Sequence, residues 1–118
     1  MKVYEKKPPR EYEVGLKKDI KIKDCATIKL ETDEQVTFIN EDDREYDLCR
    51  KSWGYYATPS INSRLYKFNF KTALVKNSKN QYYIMLVEKD KIDDFFNYIK
   101  NDENELIEWL DERNKDES

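Results

Sequence analysis

The chain has 118 residues, with 22 Lys plus Arg against 25 Asp plus Glu, two glycines, two cysteines and no histidine. That is the length of one domain, polar in balance at 40% charged and 38% hydrophobic residues, yet with enough aromatic bulk for a core and against wholesale disorder. The missing histidine excludes Ser-His-Asp and Cys-His catalysis, and two cysteines cannot by themselves supply a four-ligand zinc site.

Met1 to Arg10 carries lysines but no apolar run behind them, so it reads as neither signal peptide nor anchor. No stretch approaches the ~20 apolar residues that span a bilayer. The expectation is a cytoplasmic chain without a membrane partner, in which Cys25 and Cys49 are reduced, small core residues. Pro8-Pro9 predicts an extended arm over residues 1–11, followed by a short strand at Tyr12 and Val14 before Gly15. Ile20, Ile22, Ala26, Ile28 and Leu30 then alternate with Lys21, Lys23, Thr27 and Lys29, the period of a half-buried strand, with a bend or bulge at Asp24.

Val36 to Asn40 and Glu45 to Lys51 predict a hairpin closed by Glu41-Asp42-Asp43-Arg44. A second pair, Lys67 to Lys76 and Gln81 to Lys89, flanks Asn77-Ser78-Lys79-Asn80; its apolar centre reads as two central strands covered on both faces. Past Glu88 the period lengthens. Asp90 is placed to cap a helix bearing Ile92, Phe95, Phe96 and Ile99, and Asp102 with Glu105 resembles a capping box for a second helix or a kinked continuation carrying Leu106, Ile107, Trp109 and Leu110.

Strands first and helix last predict an α+β fold: an antiparallel sheet of five to seven short strands, open to curling into a partly open barrel, packed by C-terminal helix. With no repeat or low-complexity linker, residues 1–118 read as a single domain. Within it, residues 12–89 are β-rich, residues 90–112 helical and residues 113–118 a frayed tail.

The net charge of −3 conceals three regions. Residues 1–47 sum to −3, residues 48–87 to +7 with no acid at all, and residues 88–118 to −7. The acid-free block also holds eight of the aromatics, from Trp53 to Tyr83. Two readings compete for it: the acidic tail neutralises the block inside one fold, or the block receives an anionic partner.

Its densest chemistry is Ser52-Trp53-Gly54-Tyr55-Tyr56-Ala57-Thr58-Pro59-Ser60-Ile61-Asn62-Ser63-Arg64-Leu65. Rings beside an arginine suit a ligand with a stackable face and a negative charge, since sugar faces and bases stack on Trp or Tyr and a guanidinium clamps phosphate or carboxylate. The candidate ligand-binding residues are Trp53, Tyr55, Tyr56, Thr58, Ser60, Asn62, Arg64 and Lys67. The competing reading puts the rings in the core and leaves the polar residues to cap a loop.

Other motifs do not reach the level of chemistry. Two glycines far apart make no phosphate loop, and Glu41, Asp42, Asp43, Glu45 and Asp47 lack the glycine and spacing of an EF-hand, reading instead as a solvated turn. No catalytic residue, metal or cofactor is expected.

Residues from about 36 to 100, especially Trp53-Gly54-Tyr55-Tyr56-Ala57-Thr58-Pro59-Ser60, Arg64-Leu65, Thr72-Ala73-Leu74-Val75-Lys76 and Met85-Leu86-Val87-Glu88, resemble small uncharacterised bacterial proteins associated with surface-polysaccharide gene clusters. The resemblance implies glycan-related biology and carries no catalytic residues with it. The leading expectation is a non-catalytic binding or accessory module for an anionic glycan, a nucleotide-sugar or a protein partner handling them. The alternatives are a β-sheet binder of single-stranded nucleic acid, a histidine-free sugar-modifying enzyme, and a protein-interaction subunit or homodimer using the acidic C-terminal helix.

Overall fold

The computed structural model describes residues 1–114 of the chain. The fold is α+β, with eight strands among the described residues arranged as three separate antiparallel sheets, none closed into a barrel. A single sheet of five to seven strands was the expectation; instead most strands pair only with near neighbours in sequence, because short hairpin loops make those the cheapest partners to bring together. The chain divides into two units, one from Met1 to Thr58 and one from Pro59 onward. Among the described residues no helix is long and apolar enough to cross a membrane.

In the first unit, β1 (Lys2–Val14) pairs with β2 (Ile20–Lys29) as a two-stranded ribbon. The predicted arm is therefore strand. The irregularity expected at Asp24 falls on the partner strand: Glu5 faces Ala26 and Arg10 faces Asp24, so Lys6 to Pro9 stand opposite Cys25 alone. Prolines cannot donate to a ladder, which is why the extra residues gather at Pro8-Pro9. Cys25 is exposed here, against the expectation of a core cysteine, whereas Cys49 is buried.

The same unit holds a second sheet in the order β3 (Gln35–Ile39), β4 (Glu45–Lys51), β5 (Gly54–Ala57). The β3–β4 turn is closed by Asn40, whose Oδ1 accepts the N–H groups of Asp42 at 3.0 Å and Arg44 at 2.9 Å, with Asp43 in the left-handed region at φ 58°.

The second unit begins with a four-residue helix, α1 (Arg64–Lys67), packed on β6 (Phe70–Lys76). That strand is the centre of the third sheet, flanked by β7 (Tyr82–Glu88) and β8 (Glu105–Trp109). Asn77 closes the β6–β7 turn as Asn40 closes its own, accepting Lys79 N–H at 3.0 Å and Gln81 N–H at 2.9 Å, with Asn80 at φ 62°. Of the two strands expected to be covered on both faces, only β6 is; β7 is an edge, and its Tyr82, Tyr83 and Ile84 are exposed.

A 3₁₀ turn, Lys89–Lys91, leads into α2 (Ile92–Asn101), so Asp90 lies within the turn and Lys91 takes the capping position, while Asp93 and Asp94 occupy the first helical turn. Ala73, Val75, Val87 and Ile99 form the buried core, with Met85, Ile92, Phe95, Leu106 and Trp109 packed against them. Trp109 meets Phe95 at 5.6 Å and Phe96 edge-on at 6.3 Å between ring centroids.

The expected second helix over Asp102 to Leu110 is instead strand β8. Glu103 takes a left-handed φ of 53° and Asn104 N–H bonds the Ile99 carbonyl at 2.7 Å, which ends α2 and turns the chain back. As a strand, Leu106 and Trp109 oppose Val75 and Ala73, and the open side of β6 gains the backbone partners it would otherwise lack. Leu106 and Trp109 both reach the core only because the register shifts by one residue between Leu74 and Val75, leaving Ile107 as the exposed extra residue. Arg113, expected to fray, holds Glu108 through two 2.7 Å hydrogen bonds; of the rest of the predicted tail, Asn114 is described and residues 115–118 lie outside the described residues.

Candidate functional site

The aromatic stretch folds as the β4–β5 hairpin. Lys51 opposes Gly54, so Ser52-Trp53 is a two-residue turn. Gly54 sits at φ 148°, a conformation side-chain-bearing residues rarely adopt, although a Cβ there would meet nothing within 4 Å; the backbone, not space, requires the glycine.

The turn leaves its rings in solvent: Trp53 is 70% exposed, Tyr55 63% and Tyr56 45%. The reading that places them in the core is therefore excluded for all three. Trp53 and Tyr56 stack on each other at 6.2 Å and 30°. Arg50, directly across from Tyr55, lays its guanidinium over that ring at 5.2 Å and donates to the Gly54 carbonyl at 3.0 Å. By the alternation of the ladder, Arg50 and Tyr55 share a face with Phe38, Tyr46 and Leu48, while Tyr56 lies on the other with Asp47 and Cys49. The hairpin thus presents one ring pair and one cation–ring pair on opposite faces.

Thr58 ends this strand with its hydroxyl donating to Asp47 Oδ2 at 3.4 Å and its N–H to the Asp47 carbonyl at 3.1 Å. Asp47 is buried, so it does not belong to the solvated acids of the neighbouring turn with which the sequence groups it. Partial burial of Tyr46 pushes its phenol above the usual tyrosine value.

Ser60, Asn62, Arg64 and Lys67 belong to the second unit. Ser60 serves the short helix: its Oγ accepts the Arg64 N–H at 2.9 Å and its carbonyl accepts the Leu65 N–H at 3.0 Å. Asn62, Arg64 and Lys67 are exposed. Arg50 is the residue missing from the sequence-derived set. Its signal was present in the two-residue turn, which places position 50 opposite position 55 once Ser52-Trp53 is identified as the loop.

The acid-free block also divides. Lys71 bonds Asp111 at 2.9 Å and reaches Glu112 at 3.6 Å, and Lys76 reaches Glu105 at 3.7 Å, so these two cations are neutralised by C-terminal acids. Asp111 is a closed clasp: its side chain is fully buried, it accepts the Thr72 N–H at 2.9 Å, and the Lys71 ammonium it holds lies 4.7 Å from the Trp109 ring centroid. Burial alone would lower the Lys71 pKa; the hydrogen bond and charge of Asp111, with Glu112 behind it, outweigh burial and hold the ammonium above its ordinary value. Lys51 pairs with Asp33 at 2.5 Å and its pKa rises for that reason.

No family model, curated protein or solved structure matches the chain.

Proposed function

We propose that the chain is a non-catalytic binding module whose β4–β5 hairpin takes a ligand combining a stackable ring with a negative charge. An anionic glycan or a nucleotide-sugar has that chemistry, in keeping with a cytoplasmic role in bacterial surface-glycan biology. The observation that carries the reading is the solvent-facing Trp53–Tyr56 stack on one face of the hairpin and the Arg50–Tyr55 pair on the other, in a stretch without an acid. Exposed aromatics give up little conformational freedom on binding, and a guanidinium already seated over a ring keeps donors for an anion.

Titration calorimetry against uronic-acid oligosaccharides and uridine-diphosphate sugars tests this. Trp53→Ala and Arg50→Ala are expected to lower affinity by about tenfold or more, whereas Lys79→Ala on the β6–β7 turn leaves it within about twofold. No heat with either ligand class, or equal losses in all three variants, removes the reading.

The second reading, single-stranded nucleic acid, draws on Phe38, Tyr55 and Arg50 sharing one face of a three-stranded sheet, since bases stack on such rings. Polarisation with labelled oligonucleotides across salt separates the two; absence of binding at low salt eliminates nucleic acid.

A further inference from the structure

The β1–β2 ribbon has two unlike faces. Residues directly opposite in the ladder share a face, so Val3 with Ile28, Glu5 with Ala26, Arg10 with Asp24, Tyr12 with Ile22 and Val14 with Ile20 lie together. The other face carries the pairs Lys2 with Lys29, Tyr4 with Thr27, Glu11 with Lys23 and Glu13 with Lys21. One face is mainly apolar and the other mainly charged, the pattern of a sheet with one side buried. Yet Val3 is 50% exposed, Tyr12 39%, and Ile22 and Ile28 each 37%. A two-stranded ribbon left so is marginally stable in water by itself.

We propose that this apolar face is a self-association surface, and that its occupant is the same face of a second copy of this chain. Charge and shape favour that partner. Asp24, at mid-ribbon, is held by Lys6 and Arg10, the latter at 3.3 Å, so the face carries its charge as opposed pairs rather than as one sign. A two-fold axis running along the strands lays each cross-strand pair on its own counterpart with the strands exchanged. Arg10 then meets the second copy's Asp24, Tyr12 meets Ile22, Val3 meets Ile28 and Val14 meets Ile20. An axis across the strands would instead set Asp24 against Asp24. Two ribbons joined this way form a small sandwich, with apolar side chains inside and the lysine-rich faces outside.

Sedimentation velocity on the full chain from about 5 to about 200 µM tests the proposal, paired with hydrogen exchange at both ends of that range. A concentration-dependent dimer is expected, with β1 and β2 amides gaining protection as it forms. Ile22→Asp and Ile28→Asp should each raise the dimer Kd by about tenfold or more, while Lys23→Asp on the charged face stays within about twofold. Arg10→Asp should weaken the dimer, and adding Asp24→Arg should restore it. Because the exchange measurement uses the unaltered chain, a variant that misfolds does not decide the outcome. A wild-type monomer throughout the range overturns the proposal and gives the face to a different protein. So does a dimer whose added protection falls outside β1 and β2, or one that survives both aspartate substitutions.

Discussion

Strands β2 and β6 each carry an apolar face, and the two faces come to opposite environments. On β6, Ala73 and Val75 are fully buried, because β7 and β8 flank the strand and α2 covers the face those residues share with Val87 and Met85. On β2, Ile22 and Ile28 keep more than a third of their surface in water, because the strand has one neighbour and no layer above it within the ribbon. Period-two alternation states that a face is apolar. It does not state which element, or which molecule, covers it.

The polar residues of the two strands differ in the same sense. Lys71 is drawn under Trp109 and against a fully buried carboxylate, while Lys21 and Lys23 remain on an open face. The strongest way to break the comparison is therefore at Asp111. Asp111→Ala leaves the Lys71 ammonium with only the longer Glu112 contact and strands the Thr72 N–H, and should destabilise the second unit by about 3–5 kcal/mol in urea unfolding followed through Trp109 fluorescence. Lys71→Met in the same chain should recover a large part of that loss; no recovery would mean that the carboxylate acts through the Thr72 N–H alone.

Next comes a matched pair of truncations, one in each environment. Ile99→Ala opens a cavity in the core and should cost about 2–5 kcal/mol, whereas Ile28→Ala, measured at low micromolar concentration, should cost less than about 1 kcal/mol. Similar values at the two sites would mean that the ribbon face is covered within the single chain.

Trp53→Ala removes a ring that is mostly in solvent, so unfolding midpoints should move by no more than about 0.5 kcal/mol in free energy while ligand affinity falls. A large loss of stability would assign Trp53 to the fold rather than to a ligand.

The smallest effects are electrostatic. The Lys6 hydrogen bond, helped by Arg10, holds Asp24 below the usual carboxylate range; the Glu31 N–H and then the N-terminal ammonium do the same for Glu34, and Arg113 for Glu108. A depressed folded pKa gives stability that is present above the ordinary carboxylate value and lost as pH falls through the folded one. Amide protection in β1 and β2 should therefore decline as pH drops below about 4, and Asp24→Asn should flatten that decline. Lys71 has the reverse sign. Its raised pKa adds stability that is complete below the ordinary lysine value and is lost as pH rises through the folded one, so alkaline unfolding of the second unit should move to lower pH in Lys71→Met.

Much of the local structure was legible in the residues. The positions of both hairpin turns, the limits of β4, the start of the period-3.6 segment and the position of Asp93 and Asp94 on its first turn follow from side-chain chemistry acting over four or five residues, although Asn40 reads as the end of a strand rather than the residue that closes its turn. The candidate site was legible in part: the rings at positions 53, 55 and 56 are solvent-facing, but Ser60 serves α1 and Thr58 is bonded to Asp47. Glu105 to Trp109 could not be assigned from spacing, since Leu106, Ile107, Trp109 and Leu110 satisfy a helical stripe as readily as a bulged strand.

The sequence by itself determined the charge division, the turns, the amphipathic faces and the absence of histidine chemistry, because each depends on residues close along the chain. Only the tertiary structure decided that β8 completes the sheet, that Lys71 and Lys76 are neutralised by acids some thirty to forty positions away, and that the β1–β2 face is left open. Those outcomes depend on which backbone edge and which apolar face lacks a partner once the neighbouring elements have paired, a property of the packed molecule rather than of any segment.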